Sequence, residues 1–215
     1  MDGIYPDGPG PGDGGGLLPF APPRTLLIAC GALAREVVTL IRLNGWTHMT
    51  IECLPASWHN TPQRIPEAVR ARIRRKRALY DRIFVLYGDC GTGGALDRVL
   101  VEEGVERLPG PHCYAFFSGV DRFVAEADAD PACFYLTDYL VRHFDRIIIT
   151  GLGLDRHPEL LGDYFGNYTG LVYLAQTDDA GLRARAEAAA ARLGLEYRHR
   201  QTGYGELESF LVSAG

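Results

Sequence analysis

Three cysteines stand where thiol chemistry could be done: Cys30 in Leu27-Ile28-Ala29-Cys30-Gly31, Cys90 in Tyr87-Gly88-Asp89-Cys90-Gly91, and Cys113 in Pro111-His112-Cys113-Tyr114. The first two follow short apolar runs and touch glycine, and Cys113 follows a proline-rich turn. Thiolates gathered at one point either bind a soft metal or act as nucleophiles, because anionic sulfur suits zinc and iron and attacks electrophiles readily. Gly31, Gly88, Gly91 and Gly93 let a backbone approach a bound group closely and offer N–H donors to sulfur or to an anionic ligand. No paired C-x-x-C knuckle accompanies them, so the spacing leaves zinc and an iron–sulfur cluster equally open. His59 and His112 are candidate fourth ligands. His112 is disfavoured, since neighbours on an extended segment point to opposite faces and Cys113 is next to it. Glu36 could be a ligand, a partner of a ligand, a base or a solvated helical residue. Cys53 and Cys133 read as small packing residues.

For the thiols to converge, the runs that carry them must lie side by side. Thr25 to Ala29 reads as a strand, and Leu33, Val37, Leu40 and Ile41 continue at helical spacing to Asn44-Gly45. Met49 to Leu54 is the second strand, followed by a polar loop through Pro62. A helix from Ile65 to Tyr80 carries Arg70, Arg72, Arg74, Arg75, Lys76 and Arg77 on a solvated face or, in the minority reading, a docking face. Ile83 to Tyr87 is a third strand that enters a glycine turn and another helix. Val120 to Ala127 can be helical, Cys133 to Leu136 a short strand and Tyr139 to Phe144 a helical turn. Arg146 to Thr150 reads as a strand ending in the Gly151-Leu152-Gly153 turn. Gly170 to Ala175 is the next strand, Ala180 to Leu193 a helix stopped by Gly194, Leu195 to His199 the last strand, and Glu206 to Val212 a closing helix.

This alternation predicts an α/β, Rossmann-like fold, a mostly parallel sheet with helices on both faces. Ligands of such sheets bind beyond the carboxyl ends of the strands, where Cys30 and Cys90 stand. The Tyr87 to Gly94 loop could cradle a phosphate, but it lacks the Lys-Ser/Thr ending of a P-loop, and Asp89 would repel an anion.

The 215 residues, 47% of them hydrophobic, suit one α/β domain over 25–215. Residues 1–24, rich in Gly, Pro and Asp, read as a disordered tail. A net charge of -5 argues against nucleic acid as a partner. The sequence contains no run long and apolar enough to span a bilayer and no signal-peptide pattern at its start, so a cytoplasmic protein with free or metal-bound thiols is expected.

Cys30-Gly31 before a Glu36-bearing helix, Leu54-Pro55 leading to His59-Asn60-x-Pro62, Tyr87-Gly88-x-Cys90-Gly91-x-Gly93, Cys113, and Phe134-Tyr135-Leu136-Thr137 together resemble the uncharacterised domain-of-unknown-function 1638 family. Its members occur in methanogens and in bacteria that use methylated amines, often beside corrinoid-dependent methyltransferases. The resemblance spans Thr25 to about Leu211, and the family pattern has Asp-Cys where this chain has His112-Cys113. It implies that Cys30, Cys90 and Cys113 are the family's cysteines. It also implies a link to one-carbon metabolism, with a corrinoid, a corrinoid protein or a methyltransferase as neighbour.

The reading that results is a protein holding zinc or an iron–sulfur centre through Cys30, Cys90 and Cys113, with His59, and acting on a small molecule in or beside corrinoid-dependent methyl transfer. Its rivals are a non-catalytic accessory or corrinoid-binding module whose cysteines only pack, and a metal-free enzyme with Cys90 as nucleophile and His59 or His112 as base.

Overall fold

The computed structural model describes residues 22–214. The apolar run Thr25–Cys30 (β1) is buried along its whole length, as a central parallel strand covered on both faces must be. It pairs in parallel with Met49–Leu54 (β2) and Arg82–Leu86 (β3), and β3 pairs with the short Glu106–Arg107 (β4), giving the order β2-β1-β3-β4. Ala34–Leu43 (α1), Ile65–Lys76 (α2) and Ala95–Glu103 (α3) connect these strands and bury Val37, Leu40, Val69, Ile73, Leu96 and Leu100 in one core. The arginines of α2 are engaged within the fold. Arg70, Arg74 and Arg77 converge on Glu103, while Arg72 and Lys76 hold Glu52, so most of the basic face is neutralised by its own chain.

A second parallel sheet, β5-β6-β7, is formed by Cys133–Thr137 (β5), Gly170–Ala175 (β6) and Glu196–Gln201 (β7). Ala180–Leu193 (α8) covers it, started by the Asp179 carboxylate on the Leu182 N–H at 3.0 Å and stopped by Gly194 in the left-handed region at φ +72. Leu136, Leu171, Tyr173, Ala186 and Ala190 belong to a core of its own. The expected parallel α/β fold is present, but as two lobes with a sheet each. The first sheet stops because β4 runs into Pro109-Gly110-Pro111, and proline cannot donate to a ladder.

The lobes are joined twice. Ala115–Ser118 (α4) and Val120–Ala129 (α5) lead from lobe 1 to lobe 2. Gly205–Ala214 (α9) then returns, placing Leu207, Leu211 and Ala214 in the lobe 1 core with Phe116 and Phe117.

Arg146 to Thr150 is not the strand its apolar run suggests. Asp138–Arg142 (α6) leads into a π-helical turn, Asp145–Ile149, with the Thr150 N–H donating to the Asp145 carbonyl at 2.8 Å, and Leu161–Phe165 (α7) follows before β6. Three consecutive isoleucines suit a buried strand and a buried helix equally, and only packing decides. The stretch after β2 is wound into 3-10 turns, Ala56–Asn60 and Pro62–Arg64, where an open loop was expected. The tail at 1–24 lies outside the described residues except for its last three, of which Arg24 pairs with Asp81. Among the described residues no helix is long and apolar enough to cross a membrane.

Candidate metal or thiol centre

Two glycines decide how closely the cysteine segments approach. Cys30 ends β1, and a Cβ on Gly31 would stand 3.0 Å from the Leu54 carbonyl oxygen and 3.3 Å from the Ala56 nitrogen. Bare glycine lets the end of β2 and the turn bearing His59 close over Cys30. Beyond β3, a Cβ on Gly88 would lie 2.7 Å from the His112 backbone. The Asp89 and Cys90 N–H groups then donate to the Gly110 and Pro111 carbonyls at 2.9 and 2.8 Å. This lays the Cys113 segment along the end of β3. The Cys90 and Cys113 sulfurs stand 3.4 Å apart, the Gly88 N–H reaches Cys113 Sγ at 3.5 Å, and Cys30 lines the same cavity. Cys30, Cys90 and Cys113 thus line one cavity, with two of the sulfurs in contact.

Gly91 and Gly93 serve the turn itself. Both have positive φ, and the Gly93 and Gly94 N–H groups donate to the Asp89 carboxylate at 3.1 and 2.8 Å, with Thr92 Oγ1 at 2.7 Å. The donors that would have cradled a phosphate are thus taken by the chain's own acid. Cys90 is the one described non-glycine residue with positive φ, at 49. Such a conformation costs on the order of 1–3 kcal/mol and persists where the surroundings over-determine it. Here the pair of hydrogen bonds to Gly110 and Pro111 supplies that constraint.

Charge is distributed unevenly over the sulfurs. The Cys90 thiol is brought down to about 3, first by its hydrogen bond with Cys113 and, against the cost of burial, by the His112 and His59 rings. Cys30 is lowered too, chiefly by Cys113. Cys113 is raised, because its proton is what it shares with Cys30 and Cys90. The negative charge of the group is therefore concentrated on Cys90, with the proton held on Cys113. His59 is raised, foremost by the Cys90 sulfur, and its ring centroid lies 6.0 Å from that of His112. His112, disfavoured from sequence, lines the same cavity and helps to lower Cys90: a tight turn replaces the extended segment on which alternation would hold.

The sulfurs open into a cavity of about 380 Å³ between the lobes. Lobe 1 brings Cys30, Cys90, Cys113, His59 and His112, and lobe 2 brings a wall that includes Phe134, Tyr135, Leu140, Ile147, Ile148 and Leu152. Tyr114 stacks between His112 and Tyr135, at 4.9 and 5.9 Å, and so ties the two sides. Of these lobe 2 residues, only the Phe134-Tyr135 pair carries a signal in the sequence, through the family pattern. Cys133 lines the cavity but is engaged by Asp130 at 3.2 Å, and Cys53 is exposed. Glu36 is neither solvated nor beside the sulfurs. It is buried at the lobe boundary with Oε2 unpartnered, and burial, then the Asp138 charge, raise its pKa.

The donor set fits a soft ion by type. His112 Nδ1, buried beside the sulfurs, has no hydrogen-bond partner, and the Tyr87 hydroxyl faces the Cys30 sulfur with no partner in hydrogen-bonding geometry. Among the described residues no three Cys, His, Asp or Glu side chains already stand in ligating geometry. Tetrahedral zinc with Zn–S near 2.3 Å needs sulfurs about 3.8 Å apart, so Cys90 and Cys113 would have to part by roughly 0.4 Å.

A family model described as Protein of unknown function (DUF1638) matches residues 53–211, a span that holds His59, Cys90 and Cys113 and begins after Cys30. No curated protein matches the chain.

Proposed function

We propose that this chain, which belongs to the DUF1638 family, is a cytoplasmic protein that binds one soft metal ion through Cys30, Cys90 and Cys113, with His59 as the nearest imidazole donor. The carrying observation is the convergence of three sulfurs from three separate segments at the mouth of one cavity. A bound ion would supply Lewis acidity toward a small thiol or methyl acceptor. The chain's own residues do the rest. Gly88 donates to Cys113 and holds it in place, Tyr87 and His112 have hydrogen-bonding atoms to spare for thiolate ligands, and the lobe 2 wall excludes water. Sulfurs this close favour a single ion, zinc or iron, over a four-iron cluster, in which each thiolate serves a different iron. The setting we propose is corrinoid-dependent methyl transfer. A cavity of about 380 Å³ suits a small molecule, so a corrinoid would present its methyl group from a partner protein at the lobe boundary.

A second reading has a specific observation of its own. Cys90 combines a strained backbone with a thiolate beside two imidazoles, the arrangement of a metal-free nucleophile. Metal analysis of protein purified without oxygen separates the two. Under the first reading, Cys30→Ser, Cys90→Ser and Cys113→Ser each lose most bound metal, while Cys53→Ser and Cys133→Ser keep it. Absence of metal from the wild-type protein, or equal content in all five variants, defeats the metal reading and leaves the nucleophile.

A further inference from the structure

The cavity is chemically two-ended. At one end stand three sulfurs and two imidazoles; at the other stand Phe134, Leu140, Ile147, Ile148 and Leu152. None of the residues lining it is Asp, Glu, Lys or Arg. The acid closest to it in sequence, Asp138, follows the lining residue Thr137 but turns inward. Its carboxylate accepts from the Tyr173 hydroxyl at 2.7 Å and the Gln176 N–H at 3.0 Å, with Thr177 and Arg142 also bound to it. The cation nearest the apolar end, Arg146, is exposed and acts on the Tyr139 hydroxyl, so a charged group carried into that end would lose its hydration and meet no counter-charge in the wall itself, a transfer that costs several kcal/mol. An alkyl group loses nothing there and gains from burial. The sulfur end, with a soft ion held there, would match an incoming sulfur better than a hard oxygen ligand.

We propose that the cavity binds a small, uncharged alkyl thiol, its sulfur beside Cys30, Cys90 and Cys113 and its hydrocarbon body against the lobe 2 wall. The assignment deepens the reading of this centre as a soft-ligand site and rests on it, although the lobe 2 wall, where the hydrocarbon end lies, is what disfavours a charge there. Tyr114 and Tyr135 bound the side of the cavity where the lobes meet, so the alkyl chain runs from one lobe to the other.

The test is isothermal titration of the full chain, under argon, with butane-1-thiol, 3-mercaptopropionate and 2-aminoethanethiol, which share a thiol and differ in charge. Butane-1-thiol should bind saturably and at least about 30-fold more tightly than either charged thiol. Leu152 is only half-buried, so Leu152→Lys should fold, and it should narrow the gap to 3-mercaptopropionate at least tenfold or so by supplying the missing counter-charge. Ile148→Trp should abolish butane-1-thiol binding by filling the apolar end, with metal content unchanged. Equal or tighter binding of a charged thiol by the wild-type protein, or no saturable binding of butane-1-thiol, overturns the assignment. Metal measured in the same samples keeps the two failures apart. Selectivity without metal sinks only the metal centre, and metal without selectivity sinks only the alkyl-thiol site.

Discussion

A methyl group at position 88 would collide with backbone, which cannot swing aside as a side chain can. Gly88→Ala should therefore cost about 1–3 kcal/mol of stability, in the range of an overpacked core, and push the Cys113 segment away from Cys90. Urea unfolding measures the first effect and alkylation of Cys90 the second; a variant that keeps both wild-type values would show that the contact yields. In metal-free protein, Cys90 titrates at about 3, so its alkylation rate by iodoacetamide should stay flat from about pH 8 down to about pH 5. Cys113→Ala removes the leading cause of that depression, and its rate should fall as the pH drops through the same window. A wild-type rate that falls in parallel would contradict the assignment of charge. At this scale the sequence was legible where glycine flanked cysteine, because a strand-to-turn junction leaves a side chain few directions. Asp89 was legible as hostile to anions, but not as the acceptor that occupies its own loop's donors, since a side chain's return to its own backbone leaves no mark on spacing.

Between elements, α1 and α6 belong to different lobes, and Glu36 of α1 is buried within the influence of Asp138 and Arg142 of α6. Burial raises its pKa, so the folded state holds this proton more tightly than the unfolded chain does. The stabilisation is complete below the ordinary glutamate value of 4.5 and is lost as the pH rises through the raised value. Glu36→Gln should accordingly gain on wild type at pH 8 relative to pH 5, as read by urea unfolding at each pH. An identical difference at both would mean that Glu36 ionises without penalty. The Asp179 cap offers a contrast: Asp179→Ala should cost about 1 kcal/mol at neutral pH with no change in Cys90 reactivity. Most elements were legible, because strand, glycine turn and helix follow one another with clear periodicity in lobe 1 and around α8. The isoleucine run at 147–149 was not, since a helix buried on several sides loses the alternation of apolar and polar residues that identifies it. The burial of Glu36 was hidden too, because it arises from a contact between lobes.

At the level of the whole molecule, two lobes, each with its own parallel sheet, line one cavity, with the sulfurs on one side and a mostly apolar wall on the other. That division could not be read from local pattern. Alternating strands and helices look the same whether they extend one sheet or begin another, and only the two-residue β4 with its following prolines marks the break. The lobes share more than a surface, because α9 completes the core of the lobe it left. Leu211→Ala should cost about 2–5 kcal/mol, as in a large-to-small change at a fully buried site, and should lower the stability of lobe 1 before that of lobe 2. Hydrogen exchange resolved by segment would decide, and preferential opening of β5 to β7 would refute it. The route of the chain also bears on its birth. Lobe 2 has all its strands once β7 is made, whereas lobe 1, although begun first, waits for residues 205–214. During synthesis the sulfur-bearing half therefore completes its core only after every strand of the other half has been made, and its thiols wait on the docking of α9.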